Sequence, residues 1–405
     1  MRARTPMRLL LILLAGTFAF LLVVPVAVLR GPPSISRAAD GGPAVVATVA
    51  VGSSPTGVAV NPTTNRIYVA NWGSNNVSII DGASNTVVAS VAVGTHPRGV
   101  AVDPSTNRVY VADYGGNTVS VIDGTSNAVV ASVAVGSTPY GVAVNPSTNR
   151  VYATNHSSST VSVIDGASNA VVATVAVGSN PEGVAVNPST NRIYVANQGG
   201  GVSVIDGASD TVAASVAVGG SPEGVAVNPS TNRAYVANFW DNNVSVIDGA
   251  SDTVAASVAV GSAPLGVAFN PTPNRIYVTN VGSSNVSIID GASNTVVASV
   301  PVGGNPQGVA ANPTTNRIYV TNMGDHTVSV IQDLPIPTPT RPPGVGGKVM
   351  LPPAAIAAES RASAEESGWS AGAYAALAVA LSAAFAALGV RRWYPRRRCH
   401  NPRDK

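Results

Sequence analysis

The chain contains a single cysteine, Cys399, among its 405 residues. One thiol excludes an intramolecular disulfide and a cysteine-based metal cluster. Charged residues are also scarce, at 11% of the sequence, and residues 43–333 contain no lysine. That segment has eight arginines against fifteen acidic residues, a net charge of −7. Because phosphate groups are bound by concentrated Lys and Arg, we expect no nucleic-acid partner for it.

The basic residues are concentrated at the two ends, and so are the long apolar runs. Residues 1–42 carry a net charge of +4, and an apolar run over residues 9–29 follows their first arginines. Residues 1–42 are therefore predicted to be a signal peptide or signal anchor with a short linker, and both its cleavage and its retention as a second span remain open.

The C-terminal end has a different pattern. Residues 334–368 are rich in Pro, Gly and Ala and predict a stalk. Residues 369–390 are uncharged and long enough for a transmembrane helix, and residues 391–405 form a basic tail. Because cations beside a span stay in the cytoplasm, the pattern predicts a cell-membrane protein whose middle segment is extracytoplasmic. A buried, Ala-rich core helix is the alternative, but it leaves the adjacent arginines unexplained.

The middle segment is a sevenfold repeat. Seven arginines mark equivalent points at spacings of 41 or 42 residues: Arg66, Arg108, Arg150, Arg192, Arg233, Arg275 and Arg317. Each unit contains four β-patterned runs, which in the first unit are residues 57–60, 66–71, 76–80 and 87–93. A period of about 40–50 residues with four strands predicts one blade of a β-propeller.

The two ends of the repeat complement each other. Residues 45–51 form a fourth strand with no preceding three, and the last unit has three strands and no fourth. The first strand is therefore expected to complete the last blade and to leave no free edge. The prediction is an all-β, seven-bladed β-propeller with four-stranded blades over residues 43–333, flanked by terminal signal and transmembrane helices.

Residues 277–280 and 319–322 read YVTN, and the other units read YVAN, YVAD or YATN. Over residues 45–331 the sequence resembles the YVTN family of propeller repeats. The resemblance implies a binding or structural module of the kind found in archaeal surface-layer and bacterial exported proteins. It assigns no catalytic residue, because the matching motif is structural.

One predicted face of the propeller is nearly constant among the repeats. Its turns read NPSTNR or IDGASN with minor changes, and Asx-Pro and Asp-Gly supply turn geometry. We interpret the repeated arginines as hydrogen-bond donors between blades or within turns, with ligand contact as the alternative. Calcium binding by the turn aspartates, such as Asp81, is a second open alternative, although the spacing lacks the density of a calcium loop.

The opposite face varies. The residue after a shared proline, which is expected at the channel mouth, is Thr56, Arg98, Tyr140, Glu182, Glu223, Leu265 or Gln307. Aromatic residues beside polar ones favour a platform for sugars, peptides or small ligands. The alternatives are drift of exposed loops and an ion pair of Arg98 with a glutamate across the mouth. The candidate ligand-binding residues are Trp72, His96, Arg98, Tyr114, Tyr140, His156, Glu182, Glu223, Phe239 and Trp240.

Three functions follow from this pattern. The first is a membrane-anchored extracytoplasmic propeller that binds a surface ligand, a glycan or a protein. The second is a purely structural cell-surface protein. The third is a propeller enzyme of lyase or hydrolase type, in which His96, His156 and Glu182 converge as acid–base groups. No nucleophile motif or metal-ligand spacing is present, so we expect no catalytic residue, metal or cofactor.

Overall fold

The computed structural model describes residues 41–334, which contain twenty-eight β-strands. Apart from residues 41, 42 and 334, the predicted signal segment, stalk, transmembrane helix and basic tail lie outside the described residues. Within residues 41–334, no helix is long and apolar enough to cross a bilayer.

The strands form seven antiparallel four-stranded sheets, the blades. Blade 1 contains β2 (Pro55–Asn61), β3 (Arg66–Asn71), β4 (Asn76–Asp81) and β5 (Thr86–Ala92). Blade 2 contains β6 (Pro97–Asp103), β7 (Arg108–Asp113), β8 (Thr118–Asp123) and β9 (Ala128–Ala134). Blade 3 contains β10 (Pro139–Asn145), β11 (Arg150–Asn155), β12 (Thr160–Asp165) and β13 (Ala170–Ala176).

The remaining blades repeat this order. Blade 4 contains β14 (Pro181–Asn187), β15 (Arg192–Asn197), β16 (Val202–Asp206) and β17 (Thr211–Val216). Blade 5 contains β18 (Pro222–Asn228), β19 (Arg233–Asn238), β20 (Asn243–Asp248) and β21 (Thr253–Ala259). Blade 6 contains β22 (Pro264–Asn270), β23 (Arg275–Asn280), β24 (Asn285–Asp290) and β25 (Thr295–Pro301). Blade 7 contains β26 (Pro306–Asn312), β27 (Arg317–Asn322), β28 (Thr327–Gln332) and the N-terminal strand β1 (Ala44–Ala50).

The ring closes as the sequence predicts. Strand β1 pairs antiparallel with β28, from Ala44 opposite Gln332 to Ala50 opposite Thr327. The Thr321 hydroxyl of blade 7 donates to the Thr56 carbonyl of blade 1 at 2.6 Å, which adds a side-chain link across the same boundary. The seven-bladed architecture is confirmed.

The core lies between neighbouring blades. Tyr68 of blade 1 packs with Val109 and Val111 of blade 2, and the pattern recurs around the ring. All seven tyrosines of the repeated phrase are fully buried: Tyr68, Tyr110, Tyr152, Tyr194, Tyr235, Tyr277 and Tyr319. The phrase repeats because each blade must present the same apolar faces to its neighbours.

The innermost strand of each blade contacts the innermost strands of both neighbours around the channel. A glycine in this strand makes the close approach possible. A Cβ atom at Gly57 would lie 2.2 Å from the Arg98 carbonyl oxygen, and one at Gly141 would lie 2.3 Å from the Glu182 carbonyl oxygen. Because no side chain fits there, the side chain just before each glycine is the one that lines the channel mouth.

The repeated arginines act mainly between blades, as expected. Arg108 donates to the Gly166 carbonyl of blade 3 at 2.6 Å, and Arg317 donates to the Gly82 carbonyl of blade 1 at 2.5 Å. Ion pairs link Arg150 to Asp210, Arg192 to Asp252 and Arg275 to Asp333. Arg66 differs, because it pairs within its own blade with Asp81 at 3.0 Å.

The aspartates of the constant turns bond to their own backbone. Asp81 Oδ1 accepts hydrogen bonds from the N–H groups of Ala83 and Ser84, both at 2.9 Å. These bonds, chiefly the one from Ser84, lower the pKa of Asp81. Across residues 41–334, no group of three or more His, Cys, Asp or Glu side chains is arranged to hold a metal ion. The turn aspartates thus stabilise the turns that join the strands.

Candidate functional site

The seven residues that follow the shared prolines line a single cavity at the channel mouth, together with the inner-strand glycines. The cavity has a volume of about 140 Å³. The backbone turns towards the channel at the residue before each proline, which adopts a left-handed conformation with φ between 51° and 54°. These residues are Ser54, His96, Thr138, Asn180, Ser221, Ala263 and Asn305. This turn ends the connection between blades and starts the inner strand at the proline. The structure thus places the seven variable side chains that follow the prolines around one cavity.

Arg98 is surrounded by aromatic rings from three blades. Its guanidinium carbon lies 3.7 Å from the Tyr140 ring centroid, 5.5 Å from that of Trp72 and 5.9 Å from that of Tyr114. Trp72 also stacks on His96 at 4.6 Å and lies 5.1 Å from Tyr114. These contacts are cation–π and ring–ring interactions, which fix the direction of the guanidinium.

The expected alternative of an ion pair between Arg98 and a glutamate is wrong. Within residues 41–334, the salt bridges do not include Arg98. The guanidinium instead contacts the ring of Tyr140 in blade 3, which lies between the blades of Arg98 and Glu182. Arg98 is half-exposed, and its hydrogen bonds in the described part of the chain involve its backbone carbonyl, not its guanidinium.

Glu182 and Glu223 form a buried acidic pair at the same mouth. They occupy equivalent positions in blades 4 and 5, and are 4% and 6% exposed. Burial, followed by the neighbouring Glu223 carboxylate, raises the pKa of Glu182 to about 9. The pair therefore holds a proton at neutral pH. Glu223 Oε1 accepts hydrogen bonds from Gln198 at 3.2 Å and Ser221 at 3.3 Å, whereas Glu182 Oε2 is buried without a partner.

His156 connects the aromatic and acidic parts of the site. Its ring stacks on Tyr140 at 6.1 Å, and its Nε2 lies 3.6 Å from Glu182 Oε1. Burial and the Arg98 charge lower the pKa of His156, so the imidazole is neutral at neutral pH. Burial also raises the pKa of Tyr140 well above its usual range and keeps the phenol protonated.

Eight of the ten candidate residues thus belong to one contiguous cluster, and two do not join it. Phe239 packs edge-on against Trp240 at 5.0 Å, and the Trp240 side chain is 72% exposed. In the described residues, the ring contacts of Trp240 involve only Phe239. We call the eight contiguous residues the mouth cluster: Trp72, His96, Arg98, Tyr114, Tyr140, His156, Glu182 and Glu223. Four of them, Arg98, Tyr140, Glu182 and Glu223, line the cavity itself.

Sequence reasoning did not select two residues that support the acidic pair. Gln198 starts the loop after the second strand of blade 4, and Ser221 precedes the shared proline of blade 5. Both bond to Glu223. The sequence does contain a signal for these two residues. Glu182 and Glu223 occupy equivalent positions in consecutive repeats, so the loops beside that position in blades 4 and 5 are the ones expected to contact them.

The comparisons with known proteins support the fold. A model described as the NHL repeat matches residues 95–122, which cover most of the first three strands of blade 2. A solved structure titled Kuenenia stuttgartiensis Hydrazine Synthase matches 70% of this chain and 96% of its own, with a TM-score of 0.64 and 20% identity. No curated protein matches the chain. The chain is a β-propeller repeat protein. At 20% identity the structural likeness concerns the fold alone.

Proposed function

We propose that this propeller is a membrane-anchored, extracytoplasmic module that binds a small ligand or a surface protein at its channel mouth. One observation carries the proposal: the side chains that differ between repeats converge on one cavity. The turns at the other end of the blades are nearly identical and bond to themselves. A scaffold alone requires the constant end but not the converging variable residues.

The resemblance to the YVTN family supports the same proposal. The YVTN-type phrase and its surface-protein context agree with an exported binding module, and NHL propellers are often protein-binding scaffolds. The apolar segment 369–390 and the arginines after it support an anchor with a cytoplasmic tail. The N-terminal segment supports export whether it is cleaved or retained.

Cys399, the sole cysteine of the sequence, provides a direct test of the proposed orientation in the membrane. If the tail is cytoplasmic, a membrane-impermeant maleimide added to intact cells will not label Cys399, and permeabilisation will expose it. The matched probe is Trp240→Cys in a Cys399→Ser background, because Trp240 is exposed on the propeller. That thiol should be labelled in intact cells. Labelling of Cys399 before permeabilisation, or protection of the thiol at position 240, would contradict the orientation.

The binding surface is tested by alanine substitutions. For a ligand or glycan found by screening the full-length protein, we expect Trp72→Ala and Tyr140→Ala to weaken binding at least about tenfold, a loss of about 1.4 kcal/mol. Trp240→Ala reports whether the exposed ring outside the mouth cluster contributes. Asp81→Asn, in a turn at the opposite end, is the control. Unchanged affinity in both mouth variants, measured by titration calorimetry, would refute the assignment of the site.

A second candidate function is proton-transfer catalysis. The contact of neutral His156 with Glu182, which retains a proton, places an acceptor beside a donor. An enzyme of this kind would lose turnover in both His156→Ala and Glu182→Gln while still binding its substrate. Binding of a ligand by the wild-type protein without any turnover of that ligand would favour the binding module.

A further inference from the structure

The guanidinium of Arg98 has the geometry of an anion receptor. Aromatic faces hold its carbon within 3.7–5.9 Å of three ring centroids. Among residues 41–334, no hydrogen bond or salt bridge involves the guanidinium N–H groups of Arg98. Since Arg98 lines the cavity, these donors are available to a planar anion such as a carboxylate, which a guanidinium binds with two hydrogen bonds.

The acidic pair supplies the complementary group. Glu182 and Glu223 line the same cavity as Arg98, two and three blades further around the seven-bladed ring. Glu182 Oε2 is buried and has no hydrogen-bond partner. Burial of a polar oxygen without a partner is unfavourable, and a hydrogen-bond donor on a ligand would offset that cost. An ammonium group, which carries three N–H donors, matches two carboxyl side chains that line one cavity.

The size of the cavity limits the ligand. Its volume of about 140 Å³ lies close to that of a cavity which accommodates benzene. Apart from the charged groups, the cavity is lined by the inner-strand glycines and by the side chains of Thr56, Tyr140, Leu265 and Gln307. A few methylene groups therefore fit between the two ends of the site, whereas a polymer chain does not.

We propose that the channel mouth binds a small zwitterion, with the carboxylate on Arg98 and the ammonium group on the Glu182–Glu223 pair. This inference rests on the proposed binding function and specifies its ligand class. A simple anion would bind Arg98 but be repelled by the acidic pair. A simple amine would bind the acidic pair but be repelled by Arg98. A neutral sugar would leave both charged groups without a counter-charge. Only a molecule with both charges matches both ends.

The experiment is calorimetric titration of the full-length protein with glycine, β-alanine, 4-aminobutyrate and 6-aminohexanoate. Propionate and propylamine are the single-charge controls. We expect at least one zwitterion to bind tenfold or more tightly than both controls, with the best chain length reporting the separation of the two ends. Arg98→Gln and Glu182→Gln should each weaken that binding at least tenfold, and Asp81→Asn should leave it unchanged. Unfolding curves confirm that the variants are folded.

The outcomes separate this inference from the proposed function. If no zwitterion binds more tightly than propionate and propylamine, the inference is wrong. The binding function then stands if another ligand requires Trp72 or Tyr140. If a zwitterion binds but Arg98→Gln and Glu182→Gln retain its affinity, the location is wrong. If no ligand of any class depends on the mouth cluster, both proposals fail.

Discussion

Replacing Asp333 by alanine is expected to lower the free energy of unfolding by about 3–5 kcal/mol. Asp333 is fully buried, and its carboxylate contacts both the Arg275 guanidinium and the Tyr277 hydroxyl. Arg275 is itself only 8% exposed. Removal of the carboxylate leaves a buried cation without its counter-charge, which is the costly way to break a buried ion pair.

Two further variants make this prediction specific. Asp81→Ala removes the partner of Arg66 in a pair whose side chains are 35% and 27% exposed, so it should cost about 1 kcal/mol or less beyond any loss of its turn. Arg275→Met with Asp333→Leu removes both buried charges and should recover much of the lost stability. Denaturant titration of the full-length protein measures all three. An Asp333→Ala loss no larger than that of Asp81→Ala would show that the buried pair does not stabilise blades 6 and 7.

Raising the pH through the neutral range is expected to weaken the fold, and Glu182→Gln should remove much of that loss. The folded state raises the pKa of Glu182 from its ordinary 4.5 to about 9. Between these values the native protein holds a proton that the unfolded chain has released. The contribution of Glu182 to stability is therefore fully present below about pH 4.5 and is lost as pH rises to about 9, by up to about 1.4 kcal/mol per pH unit.

Burial also raises the pKa values of Asp113 and Asp333, so a loss in the same direction remains in the variant. The lowered pKa of His156 acts in the opposite direction, because stability that it costs at acidic pH is regained as pH rises through 6.5. The informative quantity is the difference between wild-type and Glu182→Gln unfolding free energies. Between pH 5 and pH 8, the unfolding free energy of the wild-type protein should fall more steeply than that of Glu182→Gln. Urea titration of both proteins at each pH measures the two slopes. Parallel curves for the two proteins would mean that Glu182 is ionised in the folded state and that the carboxylates share no proton.

The fold was predictable because its determinants are local and repeated. Seven copies of one phrase, four β-patterned runs in a complete copy, an extra strand at the N-terminal end and a missing fourth strand in the last copy leave one closed arrangement. Individual boundaries were less accurate. The inner strand of blade 1 begins at Pro55 instead of residue 57, because pairing with Asn71 starts at the proline and a bulge follows it. The pattern of apolar residues alone does not predict that the pairing begins at the proline.

The site was predictable in position but not in its contacts. Equivalence of repeats placed Arg98, Tyr140, Glu182 and Glu223 at the channel mouth. Repeat positions do not specify the rotamer of a long side chain, so the sequence could not distinguish the contact of Arg98 with the Tyr140 ring from the alternative of an ion pair with a glutamate. The position of Trp240, apart from the mouth cluster, depends on the shape of one loop. The buried contacts of Asp333 involve residues 56 and 58 positions earlier and have no signal in the repeat.

The central claim is that the variable residues of the channel mouth bind a ligand while the repeated residues form the ring. A metabolite and glycan screen of the full-length protein, run in parallel on Arg98→Gln/Glu182→Gln and on Asp81→Asn, tests it most directly. The account predicts ligands that bind the wild-type and Asp81→Asn proteins and lose at least tenfold in affinity for the double variant. Ligands that bind all three proteins equally would contradict it.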